Sequence, residues 1–220
     1  MINRVWMLLF ILFITAGFSG MARAELITIG TATYNGQDYK LIYEDDQGLI
    51  WLDYSLPKNR WPQLMSLVSK MNEDGALIYK LNSGVKVYWL GSWRLPIAVD
   101  DARKNGNDGT TSAGCNITTS EMGHLFYTSL GNLGYYDTEG NPLPGWGKPR
   151  EQEVYGLKNT GPFDNLRYDS YWTGTEYSIN PQHAWDFNTY FGVLDCQCFK
   201  GSFSLTGLAV RSALVSAPAR

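Results

Sequence analysis

The sequence predicts an α+β fold in which two short helices accompany about eight or more short strands. Glycine accounts for 23 of the 220 residues, a content that is typical of chains with many turns between short strands. Two segments have the three- and four-residue spacing of apolar side chains that forms one face of a helix. The sequence contains 8 Trp, 14 Tyr and 9 Phe, so the segment 25–220 can bury a core of its own and is predicted to form a single domain.

Residues 1–24 are predicted to be a secretory signal peptide that is cleaved from the mature protein. Met1–Arg4 is a short basic start, 5–18 is almost entirely apolar, and Ala22-Arg23-Ala24 is a small-x-small cleavage pattern. The alternative is an uncleaved membrane anchor, but the apolar run is shorter than the roughly 20 residues that span a bilayer. We therefore expect an exported protein, periplasmic or secreted, with no membrane span after signal cleavage.

The charge of the mature chain limits the classes of partner. The full sequence has a formal net charge of −3, and loss of Arg4 and Arg23 with an otherwise uncharged signal peptide changes it to −5. An acidic chain has no general attraction for polyanions. Nucleic acid is therefore not expected as a partner.

The first part of the mature chain is predicted to form a hairpin, a third strand and a helix. Leu26–Tyr34 and Tyr39–Tyr43 flank Asn35-Gly36, a dipeptide that is a strong local signal for a hairpin turn. Leu49–Asp53 is again strand-like. Trp61-Pro62 starts the first helix, because proline in the first turn lacks an N–H that would have no helical partner.

A second helix is predicted near the middle of the chain. Thr118 and Glu121 have the spacing of a capping box, in which a hydroxyl and a carboxylate satisfy free helix N–H groups. Gly131-Asn132 is a stop signal, so the helix is expected to run to about Leu130. Its predicted buried face consists of Met122, Leu125, Phe126 and Leu130.

The segments between these elements are less regular. Asp74-Gly75 ends the first helix, and 77–90 is predicted to be a hairpin or an extended excursion. The polar, glycine-rich segment 100–114 is predicted to be a surface loop. Segment 134–161 has little periodicity and is predicted to be a long excursion of the kind that often binds ligands or is disordered. The alternation in Gly207–Leu214 predicts a terminal strand.

A hairpin rich in aromatic residues is predicted after the long excursion. Tyr171–Tyr177 and Ala184–Phe191 have the composition of strands, and Ser178–Pro181 supplies the turn. The two strands carry Trp172 and Trp185. Two bulky rings placed close together predict either a core hairpin or the wall of a binding site.

The three cysteines, Cys115, Cys196 and Cys198, are candidates for a disulfide. In an oxidising compartment the favoured arrangement pairs Cys115 with Cys196 or Cys198 and leaves one thiol free. A metal site built on Cys196 and Cys198 would need further ligands, and neither His124 nor His183 lies at a recognisable spacing from them. The identity of any bound metal is therefore unknown from the sequence.

Seven motifs, in their order along the chain, resemble the domain family named for the C-terminal domain of the Legionella collagen-like (Lcl) adhesin. They cover the chain from about 48 to 212. The motifs are GLIWLD at 48–53, the Trp-initiated helix at 61, WRLP at 93–96, SEMGHLF at 120–126, YWTGTEY at 171–177, AWDFN at 184–188 and AVR at 209–211.

The resemblance implies a C-type lectin-like fold, in which two short helices flank twisted antiparallel β-sheets. It also implies an adhesion or binding module, since the adhesin's domain is associated with sulfated glycans. This chain has no collagen-like Gly-x-y repeat, so collagen-driven trimerisation is not implied and the oligomeric state stays open. Its acidic charge makes sulfated polyanions poor candidate ligands.

A binding module for an extracellular or envelope glycan or protein is the favoured function. Its candidate ligand-binding residues are Glu176, Trp185, Asp186 and Asn188, because an aromatic face stacks on a sugar ring while carboxylates and amides bond its hydroxyls. Any site is expected where Asp186 and Asn188 meet the excursion 134–161.

Calcium is the one cofactor that the sequence brings into consideration. AWDFN at 184–188 is loosely similar to the Trp-Asn-Asp signature of calcium-dependent lectins. Asn105, Asn107 and Asp108 also carry oxygen ligands of the kind that calcium prefers, although a solvated turn is the favoured interpretation there.

Four residues are assigned structural roles: Trp93, Arg94, Trp172 and Arg211. For the two hairpin tryptophans, the interpretation favoured over ligand contact places both in the core, with Glu176 paired to Arg94 or Arg211 beneath them, because large aromatic residues at strand spacing are mostly buried.

Two other function classes stay open. A structural envelope or protein-interaction domain would share the same export signal and fold. An enzyme is less favoured: the formylglycine-generating oxidases share a lectin-like fold and hold copper with cysteines, but Cys196 and Cys198 lack their supporting motifs. A hydrolase would need acids that converge, and nothing in the sequence brings Glu121, Glu176 and Asp186 together.

Overall fold

A computed structural model describes residues 25–147 and 153–216. The predicted signal peptide, 1–24, lies outside the described residues. The described chain is mostly β-sheet with two short helices, so the predicted α+β class is confirmed. Within these ranges no helix combines the length and the apolar character that crossing a membrane requires.

Eleven strands and two helices follow one another along the described chain. The helices are α1 (Trp61–Lys70) and α2 (Glu121–His124), and α2 continues into a π-helical turn, Leu125–Ser129. The strands are β1 (Leu26–Tyr34), β2 (Gln37–Glu44), β3 (Leu49–Asn59), β4 (Ile78–Leu81), β5 (Lys86–Arg94), β6 (Asn105–Gly106), β7 (Ala113–Gly114), β8 (Ser170–Glu176), β9 (His183–Asn188), β10 (Val193–Phe199) and β11 (Leu205–Ser216).

Strand β11 links two groups of strands. The strand order is β4-β1-β2-β3-β11-β8-β9-β10-β7-β6, and β5 also pairs with β11. β11 runs antiparallel to β3 and β5 but parallel to β8, where Thr206 lies opposite Tyr171. Apart from β6–β7, the remaining strand pairs are antiparallel.

Local signals placed the first hairpin and the first helix correctly. Asn35 and Gly36 have φ values of 51° and 77°, the left-handed conformation that a two-residue turn between β1 and β2 requires. In α1, Pro62 occupies the first turn, and Leu64 and Val68 are buried against the sheet. Of the two alternatives predicted for 77–90, the hairpin does not form, because β4 pairs with β1 and β5 pairs with β11, although the chain is extended in both strands.

The second helix has a different N-cap from the predicted one, whereas its helical run, α2 followed by the π-helical turn, ends at Ser129, close to the predicted end at about Leu130. Ser120, not Thr118, is the N-cap, and its hydroxyl accepts a hydrogen bond from the Gly123 N–H at 3.0 Å. Glu121 does not complete a capping box, because its carboxylate binds Arg94 and the Ile97 N–H instead. The predicted buried face is confirmed, since its four members are all buried: Met122, Leu125, Phe126 and Leu130.

The predicted surface loop at 100–114 is partly wrong. β6 and β7 pair in parallel there, and β7 also pairs with β10, so Ala113 is fully buried. A polar, glycine-rich composition indicates a turn, but it does not show that residues of the segment pair with a distant strand such as β10.

The core has two clusters, one on either side of the β8–β9 hairpin. The predicted hairpin is confirmed, with Trp172 opposite Asp186. Trp185 and Phe187 belong to the cluster that includes α2, whereas Trp172 belongs to the cluster that includes α1. Both tryptophans are fully buried, so the hairpin is covered on both faces.

Candidate functional site

A cavity of about 230 Å³ lies beside β9 and β10, where the excursion that starts at 134 meets the turn between these strands. Its polar wall consists of Asp186, Asp195, Gln197 and Cys198, and rings from outside the two strands form the apolar wall. This position agrees with the predicted meeting point of Asp186 and Asn188 with the excursion.

Three other clefts are larger, at about 300, 320 and 370 Å³. Within 25–147 and 153–216, none of their walls holds a buried side-chain oxygen or nitrogen that lacks a hydrogen-bond partner. Asp186, which lines the smaller cavity, carries such an oxygen atom. The smaller cavity is therefore the candidate site.

The atom is Oδ1 of Asp186. The carboxyl group is only 5% exposed, and Oδ1 has no hydrogen-bond partner among the described residues. Strand alternation turns Trp185 and Phe187 towards one core cluster, so the side chain between them faces the opposite side of β9.

The surroundings of Asp186 favour its neutral form. Burial raises the pKa of the carboxyl group to about 7, and the nearby charge of Asp195 adds to the rise. A hydrogen bond with the Cys198 thiol acts in the other direction and lowers this pKa. Near neutral pH the group therefore exchanges between an acid and a buried carboxylate.

Asp195, which lies opposite Asp186 in the β9–β10 register, is already paired. The Arg103 guanidinium donates to it through Nε at 2.7 Å and through Nη2 at 3.2 Å. The charge of Asp195 is therefore largely balanced, whereas that of Asp186 is not.

Asn188 lines the cavity and stabilises the turn that follows β9. Its Oδ1 accepts from the N–H groups of Tyr190 and Phe191, at 2.8 and 3.2 Å, and its Nδ2 donates to Ser170 Oγ at 3.0 Å. These bonds fix the turn that carries the Phe191 ring. Asn188 thus borders the cavity, and its polar atoms hold the turn.

The apolar wall comes from two segments that are distant in sequence. The rings of Tyr135 and Phe191 lie 5.3 Å apart, and the Tyr135 N–H donates to the Phe191 carbonyl at 2.9 Å. Phe191 is 43% exposed. These two residues, together with Gln197 and Cys198, were missed by sequence reasoning, and an exposed ring beside Gly192 in a tight turn was the one available signal.

Two of the four predicted ligand-binding residues lie outside the cavity. Trp185 is fully buried and its Nε1 donates to Asp100 Oδ1 at 3.1 Å, so it cannot stack on a sugar. Glu176 forms an ion pair with Lys200 and does not line the cavity. The assignment of Trp185 is therefore corrected, that of Glu176 stays a prediction outside this cavity, and Asp186 and Asn188 line it.

The residues assigned structural roles have different partners from those expected. Trp93 and Trp172 are buried in the core. Arg94 binds Glu121 through two hydrogen bonds of 2.6 and 2.7 Å. Arg211 lies over the Trp89 ring at 4.6 Å and donates to a backbone carbonyl, so neither arginine pairs with the glutamate of the hairpin.

The predicted disulfide is absent, because Cys115, Cys196 and Cys198 are all free. A bulge in β10 between Asp195 and Cys198 changes the alternation, so Cys196 belongs to the α2 cluster and Cys198 to the α1 side. The two thiols therefore do not face a common metal. Burial raises the pKa of Cys196 to about 12 and also raises those of Cys115 and Cys198, so all three thiols stay neutral.

Two oxygen-rich clusters offer ligands to a cation. The ligand atoms of Glu44, Asp46 and His124 lie within 4.8 Å of one another. Both oxygens of Glu44 already accept hydrogen bonds, however, from Trp51 and Ser129. In the segment that contains Asn105, Asn107 and Asp108, Asp108 accepts from the backbone and hydroxyl of Thr110, as expected of the favoured solvated turn.

Comparisons with known proteins do not extend this picture. No protein-family model, curated protein or solved structure matches the sequence. The resemblance to the Lcl family stays a prediction from the seven motifs, and the site is defined by its geometry.

Proposed function

We propose that this protein is an exported, periplasmic or secreted, binding module of the Lcl C-terminal type, with a C-type lectin-like fold. It holds one polar unit of a glycan in the cavity between the Tyr135 and Phe191 rings and Asp186, without catalysis. The observation that carries the proposal is that Asp186, whose Oδ1 has no partner among the described residues, is one of the residues that line this cavity.

The size of the cavity favours a small ligand unit. Cavities for drug-sized ligands enclose roughly 300–1,000 Å³, and this one encloses about 230 Å³. A single sugar ring at the end of a chain suits this space better than an extended oligosaccharide does.

The chemistry of the walls also favours a sugar. A buried acceptor that lacks a donor costs about 1–3 kcal/mol, and a ligand hydroxyl that donates to Asp186 would remove that cost. The Tyr135 and Phe191 rings offer the apolar surface on which the C–H face of a sugar packs. Gln197, which is exposed, supplies a further amide at the cavity.

The same walls argue for binding without catalysis. Glycoside hydrolysis uses two carboxyl groups on either side of the scissile bond. Asp195 is held by Arg103, and both carboxyl groups lie on neighbouring strands of one wall. The Cys198 thiol has a pKa raised by burial, so it is a poor nucleophile.

A glycan array with purified protein tests the proposal. We expect the Phe191→Ala variant to bind its glycan at least about tenfold more weakly, because it loses half of the aromatic wall. Phe203→Ala is the matched control: Phe203 is 46% exposed and does not line the cavity. Binding should survive chelation of calcium, since Asp195 is already committed to Arg103.

Two results would reject the proposal. One is an array on which the wild-type protein binds no glycan, with or without calcium. The other is equal binding by the Phe191→Ala and Phe203→Ala variants, which would place the ligand elsewhere on the molecule.

A protein-interaction function has one observation in its favour. Tyr88 and Leu214 lie opposite each other on β5 and β11, and both are exposed, as is Leu90. If this apolar face mediates function, the double variant Tyr88→Ser/Leu214→Ser would lose retention in the cell envelope on fractionation while keeping its glycan binding.

A further inference from the structure

We infer that the cavity selects a ligand that carries a primary ammonium group, of which an amino sugar is the form that agrees with glycan binding. The inference rests on the proposed function, because it names the ligand chemistry of the same cavity. Three features support it. The Asp186 carboxylate has no salt bridge and its Oδ1 has no donor among the described residues, and Tyr135 and Phe191 form an aromatic wall.

The charge balance of the cavity is incomplete. No Lys, Arg or His is among the residues that line it, and no salt bridge of Asp186 occurs within the described chain. Asp195, the other acid in the wall, is bound by two donors of Arg103. The negative charge that a ligand meets is therefore that of Asp186.

The hydrogen-bonding capacity of Asp186 is also incomplete. The Cys198 thiol is a weak donor, and Oδ1 has no partner in the described part of the protein. An ammonium group has three N–H donors, and its hydrogen bond to a carboxylate is roughly twice as strong as a bond between neutral groups. A hydroxyl supplies the donor alone, whereas an ammonium supplies the donor and the missing charge.

The aromatic wall adds a second attraction for a cation. The Tyr135 and Phe191 rings lie 5.3 Å apart, and both residues line the cavity together with Asp186, so an amine in this space has aromatic rings and a carboxyl group among its neighbours. Ring faces attract ammonium groups by about 0.5–2 kcal/mol, depending on desolvation, and neutral sugars lack this term.

The ionisation of Asp186 makes the selection depend on pH. The titratable groups near its carboxyl group are Asp195, Cys196 and Cys198 on β10, and Tyr135 also lines the cavity. Burial places the pKa of Asp186 near neutrality. An ammonium ligand stabilises the carboxylate, so its affinity should rise as pH increases through this range, and binding near pH 7 should release protons.

Calorimetric titration with four probes tests the inference: glucosamine, N-acetylglucosamine, glucose and ethanolamine. We expect glucosamine to bind about tenfold more tightly than either neutral sugar at pH 7.2, from the charge-assisted bond. Ethanolamine carries the ammonium without the ring, and it keeps its charge between pH 6 and 8, so it provides the pH profile. Titrations in two buffers of different ionisation enthalpy measure proton release.

The Asp186→Asn variant keeps the shape of the side chain and removes its charge. It should lose the preference for glucosamine, to within about twofold of the neutral sugars. Asp74→Asn removes an exposed carboxylate outside the cavity and should leave the preference unchanged. Circular dichroism of each variant establishes that it is folded.

The outcomes separate this inference from the proposed function. Binding of the neutral sugars as tightly as glucosamine would overturn the ammonium inference and leave glycan binding intact. Binding of ethanolamine with no sugar would support the ammonium site and reject the glycan. An Asp186→Asn variant that keeps its preference for glucosamine, or silence of every probe, would overturn the inference, and the glycan array decides the proposed function separately.

Discussion

Glu44 on β2 and Asp186 on β9 are both buried carboxyl groups, yet their surroundings differ. Glu44 accepts from Trp51 Nε1 at 2.9 Å and from the Ser129 hydroxyl, and His124 Nε2 lies 3.9 Å away. Asp186 has a thiol partner and a second oxygen with no donor in the described residues. Burial raises the pKa of both groups. A raised pKa is therefore common to both groups, and what differs is that Asp186 has an oxygen without a donor among the described residues and also lines a cavity.

The partners of Glu44 explain its structural role. Ser129 belongs to the π-helical turn, and Trp51 lies on β3, so one carboxyl group joins three elements of the α2 cluster. Asp186, by contrast, has one weak partner, the Cys198 thiol of the neighbouring strand β10. The two acids therefore differ in how many hydrogen bonds tie them to the fold.

Removing the structural acid should give the largest loss of stability. Glu44→Ala leaves the Trp51 and Ser129 donors buried without an acceptor and creates a cavity, and we expect a loss of about 3–5 kcal/mol in the free energy of unfolding. Urea unfolding followed by tryptophan fluorescence measures it. Glu44→Gln, which keeps one acceptor, should lose less. A loss under about 1 kcal/mol for Glu44→Ala would remove the distinction drawn between the two acids.

Neutralising Asp186 should change the free energy of unfolding by less than Glu44→Ala does, and in the opposite direction. The Asp186 carboxyl is protonated more readily in the folded state, with a pKa of about 7 against an ordinary 3.8, so wild-type stability falls as pH rises from about 4 to 7. Asp186→Asn avoids this loss and should be more stable by about 1–3 kcal/mol at pH 8, with little difference at pH 4. Urea unfolding at several pH values checks it, and a gain that does not vary with pH would contradict the assignment to ionisation.

Breaking the exposed ion pair should have the smallest effect. Glu176 pairs with Lys200 at the surface, with the glutamate side chain 45% exposed, so Glu176→Gln should cost no more than about 1 kcal/mol. Because Glu176 does not line the cavity, ligand affinity should stay within about twofold of wild type. A larger drop in affinity, measured by the same calorimetry, would restore this residue to the site.

Sequence reasoning succeeded where a feature depends on near neighbours. Asn35-Gly36 adopts its turn through its own backbone preferences, and Pro62 marks a helix start for the same reason. β4 and β5 were not predicted correctly because their partners, β1 and β11, are distant in the chain. Which strand a short segment joins depends on the whole sheet.

The site was half predictable for related reasons. Alternation along β9 placed Asp186 and Trp185 on opposite faces, but it does not indicate that helices and loops cover both faces. Trp185 was therefore assigned to a ligand while it lies in the core. The contact between Tyr135 and Phe191 joins two loops, and composition and spacing carry no signal for such a contact. The predicted cysteine pairing does not form, and the number of cysteines in a sequence does not show which thiols come close together.

The position of β11 has a consequence for how the protein folds. β11 is the last described strand, and it pairs with β3, β5 and β8. The sheet therefore cannot be completed before the chain is synthesised beyond Leu205. Pairing between strands so far apart is slow, typically milliseconds to seconds. Until then the edges of β3, β5 and β8 stay open to strands of other chains, so a copy truncated before β11 would aggregate rather than fold.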